Sequence, residues 1–201
     1  LLASDPHLEL RLPAIWYEIH LKGGSFDVAG MSLPGIPGIL IGHNQRIAWG
    51  VTNGMIDDAD FYIERIDSSD TEKYWNGRAW DRFNVRREKI DIRGRDEPVF
   101  LDVRSTPRGP IVTDVLEPRV RNAPALSVRW TGHQPGDDLK GLFGLNRASS
   151  WQTFLDAVQH YSAPCQNFTY ADVEGNIGYA LAGRVPRRRD GRGHMIYNGW
   201  E

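Results

Sequence analysis

A run of four residues, Val51-Thr52-Asn53-Gly54, has the composition of a turn that could take part in chemistry. An Asn-Gly pair can adopt positive φ angles and so present backbone N–H groups outward. Exposed N–H donors of this kind stabilise an oxyanion that develops during acyl transfer. The same pair is also a common signal of an ordinary β-hairpin turn. These residues alone therefore predict either an oxyanion-binding turn or a simple hairpin connection.

An acidic cluster follows this run, formed by Asp57, Asp58 and Asp60. Carboxylates at such short spacing are hard oxygen ligands that suit Ca²⁺, and a backbone carbonyl such as that of Ala59 could add to them. A polar turn, in which the carboxylates are solvated or cap nearby N–H groups, would have the same sequence. The cluster therefore predicts either a calcium site or an acidic turn.

Short apolar runs separated by Gly and Pro surround both candidates. Three of them, Gly38-Ile39-Leu40-Ile41, Ile47-Ala48-Trp49 and Phe61-Tyr62-Ile63, are too short for helices, which predicts buried strands joined by tight turns. Upstream, apolar and polar residues alternate from Ile15 to Leu21, which predicts a half-buried strand.

The rest of the chain predicts further strands and one helical region. Residues 62–135 are β-rich, with Asn76-Gly77 as a hairpin signal. Residues 138–161 have helical spacing of their apolar side chains, with Ser149-Ser150 as a plausible N-cap. Two more strands are predicted between Pro164 and Gly183, joined at Glu174-Gly175-Asn176. We therefore expect an α+β fold in three segments, 1–65, 66–135 and 136–201.

Composition narrows the class of protein. The chain has 201 residues, of which 40% are hydrophobic and 25% charged, as in folded globular proteins. A formal net charge of -2 does not suggest a nucleic-acid or an anionic-membrane partner. The sequence contains no apolar run of about 18 residues, so it predicts no membrane-spanning helix. The single Cys165 excludes an internal disulfide framework and is expected to be a small buried side chain. Because the chain opens without Met inside an apolar run at Leu1, we expect a fragment of a longer protein.

The segment from Pro34 to Ile66 resembles the signature near the start of the catalytic chain of penicillin acylases. These are N-terminal-nucleophile hydrolases that cleave side-chain amides. The resemblance continues over nearly all 201 residues, including the Asp138–Tyr161 region and the strand pair that follows it. The matching residues, in chain order, are Pro34-Gly35, Gly42-His43-Asn44, Ala48-Trp49-Gly50, Thr52 and Asp57 to Asp60.

The resemblance implies a fold and three catalytic roles. The fold would be part of the four-layer αββα core of N-terminal-nucleophile hydrolases, with a β-rich insertion. The backbone N–H of Asn53 would supply one oxyanion donor, with Thr52 as the alternative if the register differs by one residue. His7 would help to position the nucleophilic serine, and a downstream asparagine beyond the chain would supply the second oxyanion donor.

The resemblance also implies a substrate pocket and a metal site. Leu8 and Ile41 would form walls of an acyl pocket. Asp57, Ala59 and Asp60 would be ligands of a structural Ca²⁺, whose remaining ligands come from elsewhere in the two-chain enzyme. The substrate would be a small-molecule amide, and the partners would be the α chain of the same precursor and the rest of the β chain. Relatives of this kind are usually sent to the bacterial periplasm or cell exterior.

Two departures from the family pattern bear on activity. The family's nucleophile is the first residue of the catalytic chain, and no residue of this chain matches it. We therefore expect the 201 residues alone to be inactive. Arg108 stands where the family's Thr-x-His-Gly-Pro has His, so that segment is expected to be structural. The alternative interpretation is a non-catalytic β-rich module that uses its Trp and Tyr residues to bind a ligand.

Overall fold

A computed structural model describes residues 1–5, 8–115, 123–189 and 193–201. In this part of the chain the backbone forms two compact units. Unit 1 consists of Leu1–Asp58 and Gln134–Val185, and unit 2 of Ala59–His133 and Pro186–Glu201.

Strands dominate both units, and two α-helices lie in the described residues of unit 1. The strands are β1 (Tyr17–Gly23), β2 (Phe26–Ser32), β3 (Ile41–Asn44), β4 (Ile47–Asn53), β5 (Ala59–Ile63), β6 (Lys73–Trp75), β7 (Trp80–Arg82), β8 (Asn84–Ile90), β9 (Val99–Thr106), β10 (Gly109–Pro110), β11 (Leu126–Trp130), β12 (Gln166–Asp172), β13 (Ile177–Ala182) and β14 (Tyr197–Asn198). The helices are α1 (Asp138–Arg147) and α2 (Trp151–Val158). The predicted α+β class is confirmed.

The described residues of unit 1 form one antiparallel sheet in the order β1-β2-β3-β4-β12-β13. The sheet joins the predicted strands at the start of the chain to the predicted strand pair near its end. The turn between β12 and β13 falls at Glu174-Gly175-Asn176, as predicted. In the long β4–β12 ladder, Asn53 lies opposite Gln166 and Thr52 opposite Asn167.

Both helices pack against one face of this sheet. The predicted N-cap is confirmed at Ser150, whose hydroxyl accepts from the Thr153 N–H, while the Thr153 side chain accepts from the Ser150 N–H. Phe154 of α2 is fully buried and contacts the rings of Phe168 and Tyr170 on β12. Because β-strand side chains alternate between faces, Tyr179 and Leu181 of β13 lie on the other face and are exposed. The sheet and helices are consistent with part of an αββα core.

Unit 2 is built from smaller sheets. Its described strands pair in the orders β10-β9-β8, β11-β5-β14 and β6-β7. The predicted hairpin at Asn76-Gly77 is confirmed, since it connects β6 to β7. Residues 116–122 lie outside the described part of the chain.

Candidate functional site

Asn53, the last residue of β4, forms an Asx-type turn with Gly54 and Met55, which we call the Asn53 turn. The side-chain Oδ1 of Asn53 accepts from the Met55 N–H at 3.1 Å. The residue with positive φ is Met55, at 51°, so the expectation that the Asn-Gly pair itself takes positive φ is wrong. The hairpin alternative is also wrong, because β5 pairs with β11 and β14 and not with β4. The Asx-type bond from Asn53 to the Met55 N–H accompanies a positive φ that falls just after the Asn-Gly pair.

The ladder determines which way the Asn53 N–H points. The Gly54 N–H donates to the Cys165 carbonyl at 3.0 Å, across the ladder toward β12. Successive peptide groups of a strand point to opposite sides, so the Asn53 N–H points away from β12. Gly54 is required here, because a Cβ at this position would lie 2.9 Å from the Cys165 carbonyl oxygen. This direction is compatible with donation of the Asn53 N–H to a ligand.

A mostly apolar cavity of about 700 Å³ has Thr52 and Asn53 in its wall. Aliphatic and aromatic side chains form most of its surface, so the cavity suits an uncharged apolar group. All of its lining residues belong to unit 1: Asp5, Leu8, Trp16, Leu33, Ile36, Leu40, Val51, Thr52, Asn53, Asp138, Leu139, Gly141, Leu142, Leu145, Ala157, Val158, Tyr161, Pro164, Gln166 and Phe168.

The two predicted acyl-pocket residues have different positions. Leu8 lines the cavity, whereas Ile41 lies on β3 opposite Met31 and is not among the described residues that line it. Leu40, which directly precedes β3, lines the cavity. Both acyl-pocket assignments stay predictions.

Three lining residues of α1 could have been found from the sequence. Leu139, Leu142 and Leu145 have the helical spacing of apolar side chains that the sequence predicted for this region. Only the tertiary structure shows that these side chains border a cavity. Tyr161 also lines it, and burial raises the pKa of this phenol to about 12, so the side chain is neutral at physiological pH.

The start of the chain runs beside β4. The Ser4 hydroxyl donates to the Val51 carbonyl at 3.3 Å, and Asp5 and Leu8 line the cavity. His7 falls outside the described residues, and its positioning role stays a prediction.

Asn167 of β12 has a role that the sequence did not indicate. Its side-chain amide donates to the Asn53 carbonyl at 3.1 Å and to the Thr52 hydroxyl at 3.4 Å. The Tyr179 hydroxyl in turn donates to Asn167 Oδ1 at 2.5 Å. These bonds connect three neighbouring strands at the Asn53 turn.

The predicted calcium ligands show a different environment. In unit 2 both carboxylate oxygens of Asp60 accept from Arg188 Nε, at 3.0 and 3.1 Å, so this carboxylate already has a cation. Ala59 lies in the β5–β11 ladder opposite Trp130. Within residues 1–5, 8–115, 123–189 and 193–201, no group of three or more His, Cys, Asp or Glu side chains could hold a metal ion. The assignment of Asp57, Ala59 and Asp60 as Ca²⁺ ligands stays a prediction.

Cys165 and the helices bear on two other sequence predictions. The Cys165 side chain is buried, and burial, followed by the nearby Asp58 carboxylate, raises the pKa of its thiol. The protonated thiol is a poor nucleophile, which agrees with the prediction that Cys165 is a small buried side chain. In the part of the chain that the structure describes, the helices are too short and too polar to cross a bilayer.

Comparison with known proteins identifies relatives over the whole chain. Acyl-homoserine lactone acylase QuiP of Pseudomonas aeruginosa is 30% identical over 211 residues, covering 100% of this chain and 25% of the relative. Penicillin G acylase of Escherichia coli is 30% identical over 191 residues, covering 95% of this chain and 22% of the relative. The chain thus spans about a quarter of the length of these curated relatives.

Structural similarity agrees with these matches. A thermostable penicillin G acylase from Alcaligenes faecalis superimposes with a TM-score of 0.84 at 30% sequence identity. The match covers 98% of this chain and 35% of that chain. A family model described as penicillin amidase matches residues 1–201. The chain therefore belongs to the penicillin amidase family.

Proposed function

We propose that the full-length protein hydrolyses linear amide bonds through an acyl-enzyme. The observation that supports this function is the apolar cavity of about 700 Å³ whose wall contains Thr52 and Asn53, in a chain of the penicillin amidase family. The cavity would receive the acyl group, and the Asn53 N–H would face the carbonyl oxygen.

The nucleophile in this proposal is a serine that precedes Leu1 in the precursor and is exposed by self-cleavage. Its α-amine takes the hydroxyl proton as the oxygen attacks the amide carbonyl. The resulting oxyanion accepts from the Asn53 N–H and from an asparagine downstream of Glu201. Collapse expels the amine, which takes up the proton, and water then hydrolyses the ester to release the acid. His7 would position the nucleophile.

The substrate proposal is an amide with an apolar acyl group. Side chains such as Leu8, Leu40 and Leu142 form cavity walls, and an aliphatic wall favours an aliphatic chain over a charged one. Relatives named as acyl-homoserine lactone acylase and penicillin G acylase support an acylase activity.

The proposal extends to the rest of the precursor. The α chain and the remainder of the β chain would complete the site, so the 201 residues alone would be inactive. We also propose export to the periplasm or cell exterior, on family resemblance.

Expression of the complete precursor tests the activity. We expect self-cleavage into two chains, seen by gel electrophoresis and mass spectrometry, and hydrolysis of 4-nitroanilides of aliphatic or arylacetic acids. A precursor that stays uncut and hydrolyses none of these amides, but binds a small apolar ligand, would favour the binding-module alternative.

A backbone substitution tests the oxyanion donor. Asn53→Pro removes the N–H, and the position tolerates proline because this N–H points away from β12 and Thr52 is already extended. Asn53→Ala is the matched control, since both variants lose the side-chain bond to the Met55 N–H. We expect kcat to fall about 10²–10³-fold in Asn53→Pro relative to Asn53→Ala. Equal kcat in the two variants would reject Asn53 as the donor.

A further inference from the structure

We propose that Asn167 is a positioning residue that holds the Asn53 turn in the orientation needed for oxyanion binding. This inference rests on the proposed amide-hydrolase function. It concerns a hydrogen-bonded path across three strands, from Tyr179 on β13 through Asn167 on β12 to the end of β4.

The peptide group between Asn53 and Gly54 is held at both of its polar atoms. Its carbonyl oxygen accepts from Asn167 Nδ2 at 3.1 Å, and its N–H donates to the Cys165 carbonyl at 3.0 Å. A peptide group is planar, so two bonds in different directions fix the orientation of the whole plane. Rotation about the backbone of Asn53 is therefore restricted on its C-terminal side.

The N-terminal side of Asn53 is restricted by the ladder. Thr52 lies directly opposite Asn167, and its hydroxyl also accepts from the Asn167 amide at 3.4 Å. The Asn53 N–H belongs to the peptide group between Thr52 and Asn53, and the Asn167 amide contacts both of these residues. An oxyanion donor contributes most when its direction is set before the charge develops.

Tyr179 determines how the Asn167 amide is oriented. Its hydroxyl donates to Asn167 Oδ1 at 2.5 Å, which leaves the two N–H donors of that amide for β4. The two residues are diagonal neighbours on one face of the antiparallel β12–β13 pair, where side chains of this size can meet. Tyr179 is 60% exposed, so burial in the core does not hold its side chain in place.

Strain at the turn explains why such restraint is needed. Met55 adopts a φ of 51°, a conformation that non-glycine residues rarely populate. Strained backbone persists only where surrounding contacts over-determine it. The Asn167 and Cys165 hydrogen bonds supply these contacts on the side of the turn that faces β12.

The test uses the full-length protein with Asn167→Asp, which keeps the shape and the acceptor for Tyr179 but cannot donate to the Asn53 carbonyl. We expect kcat to fall about 10- to 100-fold, as for misplacement of a catalytic group, while KM changes little. Tyr179→Phe should reduce kcat in the same direction but by less.

Thr169→Val is the matched control. The Thr169 hydroxyl makes the same kind of bond from β12 to β4, to the Gly50 carbonyl at 3.4 Å, but away from the Asn53 turn. This variant should keep its kcat. A kcat of Asn167→Asp within twofold of wild type, or an equal fall in Thr169→Val, would overturn the proposal.

Hydrogen exchange separates this inference from the proposed function. The peptide that contains residues 51–55 should exchange faster in Asn167→Asp than in wild type and in Thr169→Val. If the wild-type protein cleaves no amide, the proposed function fails and the exchange measurement alone decides whether Asn167 restrains the turn. Unchanged exchange in Asn167→Asp would reject the restraint whatever the activity.

Discussion

The two units of this chain are stabilised by different kinds of interior. Unit 1 has a large apolar cluster in which side chains of the sheet and both helices pack together. Unit 2 has a much smaller apolar cluster, centred on Tyr74, Phe83 and Ile111. The unit that contains the candidate site therefore relies on hydrophobic burial, and the other unit requires an additional source of order.

In unit 2 that source is the buried carboxylate of Glu64. We call Glu64 and its hydrogen-bond partners Thr106, Arg108 and Ser127 the Glu64 cluster. The Glu64 side chain is 0% exposed and accepts from Thr106 Oγ1 at 3.0 Å and Ser127 Oγ at 2.7 Å. Arg108 donates to it through Nε at 2.9 Å and Nη2 at 2.8 Å, and this contact raises the pKa of the guanidinium. A buried charge is tolerated only when it is paired and fully hydrogen-bonded, so this cluster specifies one arrangement of its strands.

The first prediction tests the apolar interior of unit 1. Phe154→Ala removes a fully buried ring that contacts Trp151, Phe168 and Tyr170. We expect the free energy of unfolding of unit 1 to fall by about 3–5 kcal/mol, measured by hydrogen exchange of α2 and β12 peptides in the full-length protein. Gln152→Ala on the exposed face of the same helix should change it by less than about 0.5 kcal/mol. Similar losses in both variants would contradict an interior based on burial.

The second prediction tests the Glu64 cluster. Glu64→Gln keeps the size of the side chain but places an amide group against the guanidinium donors of Arg108. We expect the free energy of unfolding of unit 2 to fall by about 1.5–3 kcal/mol, seen as faster hydrogen exchange in β5, β9 and β11. Glu72→Gln removes the same charge at an exposed position and should have almost no effect. If the two variants exchange alike, unit 2 does not depend on this buried charge.

The smallest effect is expected at the β12–β13 turn in unit 1. Asp172 accepts from the Asn176 side chain and N–H, both at 2.9 Å, and from the Tyr170 hydroxyl at 2.9 Å. These bonds, with that of the Asn176 side chain the largest, lower the pKa of Asp172. Because its pKa is lower in the folded than in the unfolded state, its contribution is present above the unfolded pKa of about 3.9 and is lost as pH falls through the folded pKa.

Thermal unfolding as a function of pH measures this contribution. Asp172→Asn should lower the melting temperature at pH 7. The difference in melting temperature between the variant and wild type should disappear as the pH falls below about 4. Glu174→Gln in the same turn is the control, because the Glu174–Arg46 ion pair is exposed and contributes little. A difference in melting temperature that stays constant across this pH range would mean that the charge of Asp172 does not contribute to stability.

Local features of this protein followed from the sequence alone. The cap at Ser150, the helical face of α2 and the turns at Asn76-Gly77 and Glu174-Gly175-Asn176 depend on residues within a few positions of one another. Spacing and turn chemistry report such short-range interactions directly. The family resemblance likewise led to Leu8 and to the run around Asn53, which line one cavity.

The long-range contacts were decided only by the tertiary structure. Asn167 binds a carbonyl 114 positions earlier, and the Glu64 cluster joins residues up to 63 positions apart. Whether Leu40 or Ile41 faces the cavity, and whether positive φ falls at Asn53 or Met55, also depends on how strands pack and end. A side chain's type determines which bonds it can make, but only the fold brings its partner within reach, because sheet register and strand direction are properties of the packed chain.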